Sequence, residues 1–483
     1  MAIPAETFFL DPEFDGTLQK QIQSMIAQGI LAGRFQPGEK LPSSRALARH
    51  LGVSRITVTL AYTELLADDY LSSKGRSGYF VSQTAPRPIT TEMPLKPVSG
   101  IDWSRWLPPA RKPSLEKPED WQKFPYPFIY GQADPKVFDH RNWRLCALQA
   151  LGQRDFHAMT ADSFSRDDAK LIEYISRHSL PRRGIAARPE EILVTLGAQN
   201  ALWLTAEILL GRGRVAAMED PGYPGLRDVL RAQGGPVHAI PVDSGGLVPE
   251  AIPSDTDLLF ATPSHHAPTA ATLAPSRRQA LLEKAKTDDF LIVEDDYEFE
   301  TSFQAPPQPS LKSLDRHGRV IHVGSFSKSL FPGLRLGYLV GPEPFISEAR
   351  TRRAAMLRHP PGLAQRTLAY FLSLGHYDAL IRRLARALAH RREVIDAAID
   401  AESLTRAPGS GSGGSSLWMQ APEGVDTAEL AAVLRERGVL IEPGAPFFAD
   451  AHPPRNFYRL AYSSIPAERI PEGIAKIAEA IAQ

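Results

Sequence analysis

Nine prolines lie between residues 86 and 125, and their density constrains the fold of this chain more than any other feature. Proline fixes φ and has no backbone N–H, so this stretch excludes a regular helix and disfavours a central strand. The prolines predict a linker over 86–125, which separates a domain over 1–85 from a domain over 126–483. Extended as polyproline, the linker reaches on the order of 100 Å, so the domains need not pack together within one subunit.

The composition narrows the class of protein. The chain has 55 Lys and Arg against 55 Asp and Glu, so DNA or membrane binding would need a local basic patch. The sequence shows neither an apolar run of membrane-spanning length nor a secretory signal pattern, which predicts a soluble, cytoplasmic protein. The single cysteine, Cys146, excludes an internal disulfide and a cysteine-built metal site, and we expect no metal.

The first domain has the pattern of a helix-turn-helix followed by a hairpin. Apolar residues at helical spacing predict a helix over 17–31. Two short helices follow, each preceded by a serine that can cap it, and Gly52 lies in the turn between them. This is the spacing of a helix-turn-helix, whose second helix would begin at Ser54. Residues 70–81 predict a hairpin wing with two cations at its tip.

Positive charge is concentrated where DNA would lie, because residues 40–59 contain four basic and no acidic side chains. A helical domain that binds a protein partner is the alternative. The elements Pro-Ser-x-Arg, Val-Ser-Arg-x-Thr-Val and Ser-Gly-Tyr-Phe-Val resemble the winged-helix domain of GntR-type regulators. This resemblance implies that the residues in contact with duplex DNA are Arg45, Ser54, Arg55, Thr57, Lys74 and Gly75.

Beyond residue 126, apolar runs alternate with amphipathic helical stretches. This alternation predicts a three-layer α/β domain with a largely parallel sheet. An Arg-rich helical stretch follows over 363–400, and the tail from 415 predicts a smaller α+β subdomain. The runs that predict buried strands are 192–195, 215–218, 258–261, 290–293, 320–323 and 337–340.

Lys328 lies in a run that suits pyridoxal phosphate. An amine between hydroxyls, followed by an arginine, offers a lysine for a Schiff base and donors for a phosphate. The run Ser325-Phe326-Ser327-Lys328 also has the Ser-x-x-Lys form of serine acyl-enzymes. The Ser-Asp-Asn and Lys-Thr-Gly elements that accompany that form are absent from the sequence, which disfavours an acyl-enzyme.

Three other segments fit the same cofactor. Asp295 and Tyr297 end an apolar strand, where a carboxylate can keep a pyridine nitrogen protonated and a tyrosine can reach the phenolic oxygen. A helix N-cap is the alternative for these acids. The turn 197–199 passes from strand to helix through glycine, so its backbone N–H groups can take a phosphate. Tyr223 can stack on the ring.

Together and in this order, these segments resemble the fold-type I aminotransferases. Their fusion to a GntR-type module resembles the MocR subfamily of GntR transcriptional regulators, over about residues 10 to 480. The resemblance implies that Lys328 forms the Schiff base, Asp295 holds the pyridine nitrogen and Tyr297 the phenolic oxygen. It also implies an effector carboxylate on Arg459, and a phosphate held by Gly197, Ala198, Gln199, Ser325, Ser327 and Arg335.

The sequence departs from this pattern near the ring. Aminotransferases commonly have Asn-Pro-x-Gly where this chain has Ala267-Pro268-Thr269-Ala270. The regulators typically have Pro-Ser-His-Gln ahead of an aromatic residue, and His265-His266-Ala267 changes this element. Ser415-Ser416 replaces a His-rich motif. The shape of the effector pocket therefore differs from the family pattern.

The resemblance predicts a pyridoxal phosphate-dependent regulator that binds an operator as a homodimer. Its effector would be an amino compound with an acidic far end, such as taurine or γ-aminobutyrate (GABA), or pyridoxal phosphate itself. We expect no full enzymatic turnover, although a half-reaction is compatible with the site. The alternative is an active aminotransferase with a fused regulatory domain, and a multiple-turnover assay separates the two.

Overall fold

The computed structural model describes residues 2–86, 101–107, 117–131, 133–211, 213–303, 308–409 and 414–483. The chain divides into two compact units, Met1–Ala110 and Arg111–Gln483. Most of the predicted linker 86–125 lies outside the described residues, and its last part, 117–125, belongs to the second unit.

The first unit contains the predicted helix-turn-helix. The side-chain oxygens of Ser43 and Ser54 each accept a backbone N–H of the following turn at 3.1 Å, so both serines cap their helices. Gly52 ends the first of these helices with φ +67°, a conformation that glycine adopts without strain. The helices are α1 (Leu18–Leu31), α2 (Ser44–Leu51) and α3 (Arg55–Ala67).

The predicted wing is a two-stranded antiparallel hairpin of β1 (Leu71–Ser73) and β2 (Tyr79–Val81). Apolar side chains from the three helices and the hairpin form one core, which includes Ile22, Val58 and Tyr62. Leu18, the first residue of α1, is 48% exposed, whereas Ile22 and Ile26 of the same helix are buried.

The second unit alternates strands and helices as predicted. Its helices are α4 (His140–Ala150), α5 (Phe156–Thr160), α6 (Ala169–Tyr174), α7 (Ala198–Leu209), α8 (Pro224–Gln233), α9 (Pro275–Thr287), α10 (Leu311–Leu314), α11 (Glu343–Leu357), α12 (Gly362–Ser373), α13 (His376–Ala401), α14 (Thr427–Glu436) and α15 (Ile470–Ile481). Within the described residues, the structure contains no helix with the length and apolar character needed to span a bilayer.

The strands of this unit form a large sheet, a small sheet and a two-stranded pair. They are β3 (Tyr126–Pro127), β4 (Ile192–Thr195), β5 (Ala216–Asp220), β6 (Val237–Asp243), β7 (Gly246–Leu247), β8 (Leu258–Ala261), β9 (Leu291–Asp296), β10 (Val320–Ser325), β11 (Gly337–Val340), β12 (Thr405–Arg406), β13 (Ser416–Gln420), β14 (Val439–Leu440), β15 (Glu442–Pro443) and β16 (Phe457–Ala461). All six predicted strands are present, with small shifts at their ends.

The large sheet has the order β4-β11-β10-β9-β8-β5-β6-β7. The strands from β10 to β6 in this order run parallel, whereas β11 is antiparallel to both of its neighbours. The prediction of a largely parallel sheet is therefore confirmed, with β11 and the edge strand β7 as exceptions. Because β4 runs in the same direction as β10, the carboxyl ends of β4, β5, β8, β9 and β10 share one edge of the sheet.

The small sheet has the order β12-β13-β16-β15 and packs against α13, α14 and α15. Its core includes Leu417, Tyr458 and Ile474. In the register of β15 and β16, Glu442 lies directly opposite Arg459. The predicted α+β subdomain is thus present, and its strand pairing fixes these two charged residues side by side.

Candidate functional site

The carboxyl edge of the large sheet brings together residues that the sequence places far apart. Asp295 is near the end of β9, Lys328 follows β10, Tyr223 follows β5 and Gly197 follows β4. Ligands of open α/β sheets bind outside the carboxyl ends of the strands. This edge is therefore the candidate site of the second unit.

Asp295 is a buried carboxyl group whose Oδ1 has no hydrogen-bond partner among the described residues. Burial and the neighbouring Asp296 raise its pKa to about 7, against the opposing positive charge of Lys328. A buried polar oxygen without a partner is unfavourable unless a ligand supplies a donor. The protonated ring nitrogen of pyridoxal phosphate is such a donor, so Asp295 fits the cofactor.

The amine of Lys328 lies 4.1 Å from the centre of the Tyr130 ring. Burial, together with the cation of Lys117, lowers its pKa to about 7. A Cβ on Gly131, which has φ +78°, would lie 2.4 Å from Lys328 Nζ, so a larger residue there would be strained and would displace this amine. A lysine that is substantially neutral near pH 7 is a competent nucleophile toward an aldehyde.

The Gly197 turn meets Arg335 at the N-terminus of α7. The Arg335 guanidinium lies 3.4 Å from the position of a Cβ on Gly197, and its Nη2 donates to the Leu196 carbonyl at 3.0 Å. This places a cation at the positive end of a helix, an arrangement that suits a phosphate. Ser325 Oγ accepts the Ser327 N–H at 3.2 Å, and the buried Ser327 Oγ makes no hydrogen bond within the described residues.

Tyr223 is tied to the same turn. Its hydroxyl donates to Gln199 Oε1 at 3.0 Å, and Gln199 Nε2 donates to the Gly225 carbonyl at 2.9 Å. Tyr223 and Asp295 line a common cavity together with Glu219. The ring and the carboxylate predicted to contact the cofactor therefore face one space.

Tyr297 donates its hydroxyl hydrogen to the His265 carbonyl at 3.0 Å. To donate to a phenolic oxygen, as the resemblance implies, this hydroxyl would have to turn away from the carbonyl. Burial keeps the pKa of Tyr297 well above its usual value, and Glu298 adds to the effect. The segment 267–270, whose sequence differs from the family pattern, follows His265 closely in the chain. In this segment Ala270 adopts φ +57° where the family pattern has glycine.

Arg459 is buried between two aromatic rings. Its guanidinium carbon lies 4.4 Å from the centre of the Tyr130 ring and 4.7 Å from that of Phe447. Its Nε donates to Glu442 Oε2 at 2.8 Å. Burial alone would raise the pKa of Glu442, but Arg459 and Lys117 outweigh burial and hold that pKa below its usual value. The terminal nitrogens of Arg459 make no hydrogen bond within the described residues, so they remain available for an acid.

Sequence reasoning missed the residues that connect these groups. The hydroxyl of Tyr130 donates to Glu298 Oε2 at 2.5 Å, and Ser415 Oγ donates to Glu298 Oε1 at 2.6 Å. The Glu298 carboxylate therefore accepts from Tyr130 on one oxygen and from Ser415 on the other. One signal in the sequence pointed to Glu298: it belongs to the acidic run 294–300, which directly follows an apolar strand. Nothing in the sequence indicated Tyr130 or Glu442.

In the first unit, the residues predicted to contact DNA lie on α2, α3 and the wing. Arg45 and Arg55 are exposed, and Arg55 Nε lies 3.5 Å from Ser44 Oγ, which links the two helices. The hydroxyls of Ser54 and Thr57 contact each other at 2.8 Å while Ser54 caps α3. Ser54 and Thr57 therefore organise the start of the helix as well as facing the predicted DNA surface.

The wing adds cations to this surface. Lys74 is exposed at the hairpin tip beside Gly75, and its amine lies 5.2 Å from the centre of the Phe80 ring. The amine of Lys40 lies 5.9 Å from the same centre. Ile56, the second residue of α3, is 71% exposed, as expected for a side chain that would enter a DNA groove.

Comparisons with known proteins agree with both halves of this description. The model of the GntR family of bacterial regulatory proteins matches residues 18–81, and that of class I and II aminotransferases matches residues 155–477. A solved α-aminoadipate aminotransferase, LysN of Thermus thermophilus, superposes with a TM-score of 0.71 at 26% identity, and the match covers 79% of this chain and 98% of that one. Its structure holds N-(5′-phosphopyridoxyl)-L-leucine. The chain is therefore a pyridoxal phosphate-binding aminotransferase fold joined to a GntR-type DNA-binding domain.

Relatives with both domains identify the family. The chain is 59% identical to the HTH-type transcriptional regulator TauR of Rhodobacter capsulatus over 483 residues, which is 100% of each chain. It is 33% identical to the probable rhizopine catabolism regulatory protein MocR of Rhizobium meliloti, across 80% of this chain and 78% of that protein. The chain belongs to the MocR-type transcriptional regulators, and its main role is regulation of transcription rather than catalysis.

Proposed function

We propose that this regulator senses an amino compound with an acidic far end, such as taurine or GABA, at the carboxyl edge of its large sheet. One observation carries the proposal: Lys328 Nζ and the Arg459 guanidinium lie against the same Tyr130 ring, at 4.1 and 4.4 Å. The position for amine exchange, at Lys328, and the position for an acid, at Arg459, therefore both border the Tyr130 ring. Pyridoxal phosphate itself is the second candidate effector, because the site binds it.

Pyridoxal phosphate, when bound, supplies an aldehyde that condenses reversibly with primary amines. The residues that would hold it are Asp295 at the ring nitrogen and the Gly197 turn with Arg335 at the phosphate. Lys328 supplies the resident amine, and burial keeps that amine substantially neutral near pH 7. Arg459 would orient the effector by its acid.

The DNA-binding half responds because the effector favours one arrangement of the protein over another. We propose that the protein acts in the cytoplasm, where its operator lies, as a homodimer whose two winged helices read two half-sites. An apolar groove beside Arg335 supports the dimer, since its lining residues Trp203 and Met356 are 36% and 48% exposed.

Inserting five base pairs between the half-sites should abolish coupled binding, while inserting a full helical turn restores it. Equal binding with both insertions would contradict the coupled dimer.

Full transamination is not part of the proposed function, and the site is limited to a half-reaction at most. Ala267 stands where aminotransferases commonly have an asparagine beside the ring oxygen. A multiple-turnover assay with taurine and a keto acid should therefore yield no more than one equivalent of product per site in the time of the regulatory response. Sustained turnover would favour the alternative, an aminotransferase with a fused regulatory domain.

The proposal is tested by titrating the holo-protein with taurine while recording both the visible spectrum and operator binding in a gel shift. Taurine should change both. Lys328→Ala should lose the visible band of the lysine-bound cofactor and the response of operator binding to taurine, yet still bind the operator. Lys286→Ala, a change at an exposed lysine of α9, serves as the control. An unchanged visible spectrum in Lys328→Ala would sink the assignment of this lysine.

A further inference from the structure

Lys117 brings a second cation to the carboxylate that holds Arg459. Its Nζ lies 3.3 Å from Glu442 Oε1, while Arg459 Nε donates to Glu442 Oε2 at 2.8 Å. Glu442 is fixed because it pairs with Arg459 across β15 and β16. One carboxylate therefore positions two cations. Arg459 comes from the small sheet, and Lys117 comes from the segment that begins at residue 117.

The charges of this group do not balance. Lys117 and Arg459 carry two positive charges against the single negative charge of Glu442, and both Glu442 and Arg459 are buried. An uncompensated charge in a buried site is costly, so the group favours an anionic ligand. Burial lowers the pKa of Lys117, Glu442 opposes this shift, and the cation of Arg459 adds to it.

The donors of the two cations are only partly used. Lys117 Nζ donates to the Tyr130 carbonyl and forms an ion pair with Glu442, so at least one of its three hydrogens is unused. Arg459 uses Nε and leaves both terminal nitrogens. The Tyr130 ring lies close to both lysines, since its centre is 5.9 Å from Lys117 Nζ and 4.1 Å from Lys328 Nζ. A small molecule with its amine at Lys328 therefore has its far end beside both cations.

We infer that Lys117 and Arg459 together bind the acidic group of the effector, with Glu442 positioning both. The inference rests on the proposed function and extends it by a specificity-determining residue. The two terminal nitrogens of Arg459 suit two oxygens of an acid, and Lys117 adds a third donor. The effector class is a primary amine with a sulfonate or carboxylate at its far end.

The test compares two amines of equal chain length, taurine and 2-aminoethanol, which differ in having a sulfonate or a hydroxyl. The dissociation constant of each is measured on the holo-protein from its visible spectrum. Lys117→Gln should weaken taurine binding by about tenfold or more, the effect of losing one charged hydrogen bond, and leave 2-aminoethanol unchanged. Lys117→Arg should stay within roughly threefold of the wild type, because the cation is retained.

Lys123→Gln is the matched control, since this lysine lies nearby in the chain and its side chain is 80% exposed. Equal weakening of both amines by Lys117→Gln would assign Lys117 a purely structural role, and an unchanged taurine affinity would also overturn the inference. Lys117→Met, which keeps the side-chain length, repeats the comparison if the glutamine variant loses the cofactor band. A wild-type protein that responds to neither amine would instead refute the proposed function.

Discussion

The two functional surfaces differ in how far apart their residues lie along the chain. In the DNA-binding unit, Arg45 to Thr57 form one continuous segment, and its arginines are exposed. In the aminotransferase-like unit, the site draws on Tyr130, Lys328 and Arg459, which lie far apart along the chain. Local sequence can build the first surface, whereas the second exists only after the whole unit has folded.

The surfaces also differ in their exposure to water. The cations predicted to bind DNA are exposed to solvent, where charge interactions are weak and screened by salt. In the buried site, loss of water changes the chemistry of the groups themselves, bringing the pKa of both Lys328 and Asp295 to about 7. Substitutions should therefore have larger effects in the second unit, and the predictions below test that difference.

The largest effect is expected for Asp295→Ala. Removing this carboxylate leaves the protonated ring nitrogen of the cofactor without a buried partner, which costs about 3 kcal/mol or more, roughly a hundredfold in affinity. The affinity of the apo-protein for pyridoxal phosphate is measured by absorbance titration. Asp255→Ala, at a side chain that is 64% exposed, should match the wild type. Wild-type affinity in Asp295→Ala would remove Asp295 from the cofactor site.

Arg55→Ala should weaken operator binding by about 1–3 kcal/mol if the Arg55 guanidinium makes a bidentate hydrogen bond to a guanine base. The cofactor band should not change, because the substitution lies on the exposed surface of the other unit. Arg34→Ala, at an exposed position just beyond the end of α1, is the control for loss of a positive charge. A gel-shift titration that finds Arg55→Ala and Arg34→Ala equivalent would contradict base recognition by Arg55.

The reaction of apo-protein with pyridoxal phosphate should depend on pH through Lys328. Its pKa is lowered to about 7, mainly by burial, so the amine is mostly protonated below pH 7 and mostly neutral above it. The rate of appearance of the visible band should fall about tenfold per pH unit below 7 and level off above. A simple alkylamine, measured in parallel, should keep accelerating towards pH 10. The same steady rise in the protein would show that burial does not depress this pKa.

The smallest effect is expected for Gly52→Ala in the helix-turn-helix. Gly52 has φ +67° and no atom within 4 Å of an added Cβ, so the cost is backbone strain alone, about 1 kcal/mol. Gly33→Ala, with φ +68° and equally open space, should cost the same. The free energy of unfolding of both variants is measured by urea titration, with a signal that reports on the DNA-binding unit. A loss of several kcal/mol at Gly52 would reveal a tertiary contact at this turn.

The sequence alone determined those features that depend on near neighbours. Ser43 and Ser54 cap their helices through bonds that span three residues, and the apolar runs of the sheet are strands because the pattern is local. Asp295 and Lys328 were predicted as site residues, and they lie at one edge of the sheet because the carboxyl ends of buried parallel strands meet there.

Tertiary structure alone decided the contacts between distant segments. The Tyr297 hydroxyl donates to the His265 carbonyl, an arrangement that the resemblance does not predict. Lys117 falls in the predicted linker, yet it lies against Glu442 in the second unit. Such contacts depend on how separate segments pack, and packing, with the loss of water that follows from it, sets the pKa values and the free donors of the site. No periodicity or capping pattern in the sequence carries that information.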